Sequence, residues 1–290
     1  MDKITLVTFT DPMPGLSYEC EPIFRKLETH FADRIEFRYV MSGLVRDVYE
    51  LVDADDLKHG NDFAIRRYNA KLAQIYMSEE SIGGLPINMT GFELFSVNET
   101  SSAPLNIAYK AAQIVDAEKA DLFLYKLRFA TIVECRPTTR TSELLKVAVK
   151  TGLDAKKFLT AFNDGSAEKL FRNDLEICAR VGIHELPSYL VQYQSNGALI
   201  RGLASFADFA VVIDELSGLQ PSPPVKSIGA LRELLTRHPL ISPIEIREAF
   251  KFRNVDEVRK FIKPLVDAGE LKILDVPRGW FVEKISEAIT

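Results

Sequence analysis

Cysteine is scarce in this chain, and its spacing matters more than its number. Of 290 residues only Cys20, Cys135 and Cys178 are cysteines, an odd set with no two close together. This excludes a disulfide framework and a Cys-x-x-Cys redox turn, and it fits a reducing compartment. Four histidines share no ligand spacing with one another or with the cysteines, so no metal site is expected. No apolar run approaches the roughly 18 residues of a membrane span. The start, Met1-Asp2-Lys3-Ile4-Thr5-Leu6, has no basic stretch followed by an apolar one, and no signal peptide is expected. Excess positive charge is also missing: 36 basic residues face 41 acidic ones, a net charge of −5, which gives no general attraction to nucleic acid or anionic lipid. A cytoplasmic protein without a cofactor follows as the expectation.

What is present is a packed globular chain, 47% hydrophobic and 27% charged. Ile4 to Thr10 alternates as a buried strand does, and Asp11-Pro12-Met13-Pro14-Gly15 ends it. Ser17 then reads as the N-cap of a helix whose apolar stripe is Ile23, Leu27 and Phe31. Ile35 to Val40 is a second strand, so the chain opens as β-α-β, a parallel pair with a right-handed crossover. From about Leu44 to Val181 the pattern is helical, with start signals at Ser102-Ala103-Pro104 and Thr141-Ser142-Glu143. Strand character returns at Ser188 to Tyr193. Ser195-Asn196-Gly197 predicts a tight turn into Ala198 to Arg201. Phe206, Phe209, Val212, Ile213 and Leu216 form the inner face of a closing helix. The order is β-α-β, a helical insertion, then β-β-α.

Past Leu216 the composition changes. Ser217 to Val225, rich in proline, predicts a semi-rigid linker. Leu231, Leu234 and Leu235 mark a helix, and Ser242-Pro243-Ile244-Glu245 is a capping box opening another. Asn254 opens a third, which carries Val258, Phe261, Ile262 and Leu265 and ends at Gly269. Two strands with a turn near Pro277-Arg278-Gly279 follow. Three helices and a hairpin give the order of a winged helix. Its third helix mixes Asp256, Glu257 and Asp267 with Arg259, Lys260 and Lys263, which points to a protein-binding module and argues against nucleic acid as the partner.

Phe9-Thr10-Asp11-Pro12 followed by Glu21-Pro22 resembles the active-site segment of the cytoplasmic, FrnE-like branch of the DsbA family. Val181-Gly182-Ile183-His184-Glu185-Leu186-Pro187-Ser188 is similar to that branch's cis-proline segment. Gly202 before Ser205-Phe206, Ser101 to Pro104 with Ala111-Ala112, and Gly152-Leu153-Asp154 fit the same branch. The resemblance implies an α/β thioredoxin-like domain over residues 1–216, with a helical insertion at about 44–181. A linker at 217–225 and a winged-helix-like domain at 226–290 follow. The overall arrangement resembles the Clp-protease adaptors that deliver the transcription factor Spx.

Laid on that pattern, the family's two cysteines fall on Pro14 and Ser17, and its tryptophan falls on Tyr18. Proline is no nucleophile, and serine's pKa lies far above neutrality, so dithiol exchange has no agent. Cys20, one turn further on, reads as a small buried residue. Three functions remain in play. The first is a non-redox binding or adaptor protein, in which an extended peptide or protein docks between Pro14, Ser17 and Tyr18 on one side and Leu186, Pro187 and Ser188 on the other. The second is a thiol-disulfide oxidoreductase or isomerase working through Cys20. The third is a glutathione-dependent transferase or isomerase working through Ser17.

Overall fold

The computed structural model describes residues 3–32 and 34–285. Strand β1 (Ile4–Thr10) leads into a short helix α1 (Gly15–Glu19) and then α2 (Glu21–His30), before strand β2 (Ile35–Met41). The helical insertion follows as α3 (Ala54–Leu57), α4 (Asn61–Gly83), α5 (Ala103–Val115), α6 (Ala120–Ile132), α7 (Thr141–Thr151), α8 (Ala155–Asn163) and α9 (Ser166–Val181). Strands β3 (Ser188–Tyr193) and β4 (Asn196–Arg201) and helix α10 (Phe206–Ser217) complete this part.

The sheet order is β2-β1-β3-β4. β1 runs parallel to β2 from Ile4–Ile35 to Thr10–Met41, and antiparallel to β3 with Phe9 opposite Ser188. This is the thioredoxin-like sheet expected from the β-α-β and β-β-α pattern. α2 and α10 cover one face, where Leu27, Phe24, Tyr189, Phe209 and Ile213 form a core.

Two local expectations are corrected. Ser17 is not an N-cap: α1 starts directly after Pro14, and Ser17 lies inside it. Pro22, with no N–H to donate, breaks the helix, so that Cys20 becomes the N-cap of α2. The hairpin loop is Gln194-Ser195 rather than Ser195 to Gly197, because Tyr193 pairs with Asn196 and Gln194 takes the left-handed conformation, with φ 52°.

The C-terminal residues form α11 (Ile228–Arg237), β5 (Leu240–Ile241), α12 (Pro243–Phe250), α13 (Val255–Asp267), β6 (Leu271–Val276) and β7 (Gly279–Lys284). Their small antiparallel sheet has the order β5-β7-β6. The capping box at Ser242 forms as its sequence requires. Leu231, Leu234, Ile246, Val258 and Ile262 make a core of their own, while Leu240 and Phe281 turn outward into the core of the insertion. α12 lies along α2, and Ser222 in the linker donates its N–H to the His30 carbonyl at 2.8 Å. No helix among the described residues is long and apolar enough to cross a membrane.

Candidate functional site

The loop after β1 is fixed by one buried carboxylate. Asp11 Oδ1 accepts the Met13 N–H at 3.0 Å. Its Oδ2 accepts from the Leu44 N–H, the Ser102 hydroxyl and the Asn106 amide at 2.7, 2.8 and 2.8 Å. The Asp-Pro motif and the Ser102 start signal are therefore two halves of one joint between the sheet and the insertion. Ser102 spends its hydroxyl there and makes no cap bond to α5.

The three residues expected to line a groove on the α1 side, Pro14, Ser17 and Tyr18, are all buried. Tyr18 is 1% exposed and points inward, donating its hydroxyl to the Pro86 carbonyl at 3.0 Å. It is not a ring offered to a partner, because a buried phenol needs an acceptor and finds it inside. The Ser17 hydroxyl is buried and accepts from Thr10 Oγ1 at 2.8 Å, which removes it as an exposed thiol-activating group. Cys20 is 1% exposed, receives the Tyr189 hydroxyl on Sγ at 3.2 Å, and has its pKa pushed up to about 11 by burial. A reactive thiol needs the reverse shift. Pro14 is buried as the N-cap residue of α1.

α4 forms the roof. Tyr76 donates to the Met13 carbonyl at 2.6 Å. Glu79 lies against Gly15, where a Cβ would come within 2.0 Å of its carboxylate oxygen. Gly83 approaches so closely that a Cβ there would lie 2.2 Å from the Glu19 carbonyl. Glu19 Oε2 takes the N–H groups of Gly83 and Leu85 at 2.8 and 3.2 Å. On the other side, the Leu186–Pro187 peptide is cis and Pro187 is buried. Ser188 is buried in the ladder opposite Phe9, with its hydroxyl donating to the Glu185 carbonyl at 2.7 Å. Leu186 alone of this trio is half-buried.

The Glu-Pro motif is structural too. Glu21 Oε1 meets Arg128 Nη1 at 2.7 Å and its Oε2 meets Arg25 Nη2 at 2.9 Å, all three side chains being buried. Arg128 also donates to Thr10 Oγ1 at 2.8 Å. Arg25 continues toward the C-terminal part through Glu28 at 2.8 Å and Glu245 at 3.6 Å. Glu245 is fully buried and accepts from Tyr125 at 2.6 Å. Sequence reasoning did not find Arg128 or Glu245 as a network. A signal for Arg128 exists: a cation set directly between Leu127 and Phe129 in a largely apolar helix.

A sequence model of the thioredoxin family matches residues 7–210. The chain belongs to the thioredoxin family. Within that family its fold is DsbA-like. A protein-disulfide-isomerase-like structure from Nitrosomonas europaea superposes with a TM-score of 0.60 at 16% identity, over 74% of this chain and 97% of its own. The cytosolic disulfide reductase DsbM from Pseudomonas aeruginosa gives 0.53 at 20% identity, over 68% and 88%. These likenesses establish the fold. The ClpXP adapter protein SpxH of Halalkalibacterium halodurans is 23% identical over 96% of this chain and 88% of that protein. SpxH of Bacillus subtilis is 21% identical over 98% and 90%. The adapter similarity runs through the C-terminal elements as well as the thioredoxin-family part.

Three carboxylates, buried Glu19 under the roof, half-buried Glu79 on α4 and buried Glu245 on α12, set a pH dependence. Burial raises the Glu19 pKa to about 8, against the two N–H bonds that lower it, and burial raises Glu79 and Glu245 to about 7. A carboxyl whose folded pKa is raised costs stability when it ionises, so the loss grows as pH rises toward the folded value. Buried His30, depressed from 6.5 to about 4 by burial, acts only below pH 6.5. Stability should therefore fall as pH rises from the ordinary carboxyl value of 4.5 to about 8. His30 offsets part of the fall below 6.5, so that the fall is read most simply between pH 6.5 and 8. Glu19 alone should account for on the order of 1–2 kcal/mol of the fall in that last interval. Glu19→Gln should flatten it in urea titrations, and an unchanged slope would refute the assignment.

Proposed function

We propose that this chain is a non-redox, protein-binding adaptor that delivers a partner protein to a Clp protease in the cytoplasm. The observation that carries this reading is the closed turn. Where the family places two thiols the chain has Pro14 and Ser17, both buried, and α4 is seated on them. The only nearby thiol, Cys20, is buried and pushed away from ionisation. The similarity to SpxH adapters over 96% and 98% of this chain supports the same reading. In it, residues 1–216 are the scaffold, 217–225 the linker, and 226–290 a winged-helix-like module that binds protein.

The test is degradation of an Spx-type substrate by purified ClpXP with and without this protein. The reading predicts a several-fold faster loss of substrate and no reduction of insulin disulfides. An unchanged degradation rate together with insulin reduction abolished by Cys20→Ser would replace the adaptor with an oxidoreductase.

A further inference from the structure

A groove runs between α7 and the small C-terminal sheet. Its inner part, about 310 Å3, is lined by Phe129, Val147, Leu240 and Leu274 with Lys126 and Lys272 at the rim. An outer part of about 650 Å3 continues over Leu145 and Val149, and the two share Glu134, Arg136 and Lys150 as a common wall. Val149 is 55% exposed on its floor. Beneath the groove, Phe129 of α6 and Phe281 of β7 pack edge to face with ring centres 4.8 Å apart, which holds α6 against the small sheet by buried aromatic contact.

The charge of this groove opposes that of the chain. Lys126, Arg136, Lys146, Lys150 and Lys272 line it against Glu134 and Glu283 alone, an excess of positive charge on a protein of net charge −5. Glu143, behind the wall, pairs with Arg136 and Lys146. Lys150 reaches Glu134 only at 3.3 Å, and Lys126 Nζ donates at 2.7 Å to the Lys150 carbonyl rather than to a carboxylate. The Lys126 ammonium thus lies against the Lys150 backbone beside the apolar lining of the groove. Lys272 pairs with Glu283 at 2.7 Å and Arg136 with Glu134 at 2.9 Å, yet the five cations still outnumber Glu134, Glu143 and Glu283 by two. An anionic chain with an apolar side chain satisfies both parts: its carboxylates meet that excess of positive charge, and its side chain covers Val149 and Leu145.

We infer that this groove docks a short acidic segment of a client protein, one in which glutamate or aspartate flanks a leucine-sized side chain. The inference rests on the adaptor reading for its biological setting, but the binding itself needs no protease.

The probe is a fluorescein-labelled peptide repeating Glu-Glu-Leu, compared by anisotropy with its Lys-Lys-Leu counterpart on the full chain. The acidic peptide binds and weakens as salt is raised, and the basic one does not bind. Lys126→Glu combined with Lys150→Glu weakens binding at least tenfold, and Val149→Asp, at an exposed position that leaves the lysines in place, also weakens it. Equal binding of the two peptides, or wild-type affinity in a folded Val149→Asp and in the double variant, overturns the proposal. Peptide binding without stimulation of ClpXP would remove the adaptor reading and leave the groove. Stimulation without peptide binding, unaffected by the charge reversal, would remove the groove and leave the adaptor.

Discussion

Arg128→Met should cost about 3–5 kcal/mol of folding stability, the range for removing one member of a buried ion pair. Arg128 is 1% exposed and holds Glu21 and Thr10 at once. Without it the Glu21 carboxylate keeps Arg25 on one oxygen and has its other oxygen buried with no donor. Glu21 sits at the first turn of α2, and Thr10 is the last residue of β1, so the loss falls where the strand, the turn after it and the insertion meet. Methionine is an unbranched side chain close to arginine in volume, so the variant changes the charge more than the packing. Adding Glu21→Gln should return part of the loss, because a neutral amide no longer requires the guanidinium. Urea denaturation of the two single variants and the double variant measures this. A cost below about 1 kcal/mol for Arg128→Met would show that the network is not a stabilising joint.

The joint explains why the family resemblance was legible while the role of its residues was not. Asp11-Pro12 and Glu21-Pro22 mark the DsbA-like pattern in the sequence. Read beside an active-site turn, they suggest chemistry. In the structure Asp11 ties the turn to Leu44, Ser102 and Asn106, and Glu21 ties it to Arg128, so both motifs persist as architecture after the thiols are gone. Neither partner set is within reach of sequence periodicity, since Arg128 lies 107 residues from Glu21.

Strands and helices followed their local signals closely. Ile4–Thr10 and Ile35–Met41 form the expected strands, and the Ser242 capping box forms. The groove at Tyr18 was read wrongly for a physical reason. Whether a turn is open depends on what packs over it, and here that is decided by α4. Its Tyr76, Glu79 and Gly83 come from a helix whose amphipathic pattern is weak and carries no mark of its target. Gly83 is informative only once the Glu19 carbonyl is seen beside it. The Pro-rich stretch at 217–225 reads in the sequence only as a semi-rigid linker. Yet Glu245, Glu248, Arg237 and His238 from the C-terminal part all reach charged groups on α2, and that contact is invisible to composition.

The most direct test of the closed, non-redox site is alkylation of the native protein with iodoacetamide at neutral pH, read residue by residue by mass mapping. Buried under Tyr189 with its pKa near 11, Cys20 should stay unlabelled while the protein is folded and react fully once urea is added, a protection of at least about a hundredfold. Half-buried Cys135, whose pKa burial raises, should label first of the three, and slowly. Rapid labelling of Cys20 in the folded state, ahead of Cys135, would mean that the turn opens to solvent and that a thiol, not a binding surface, is its working part.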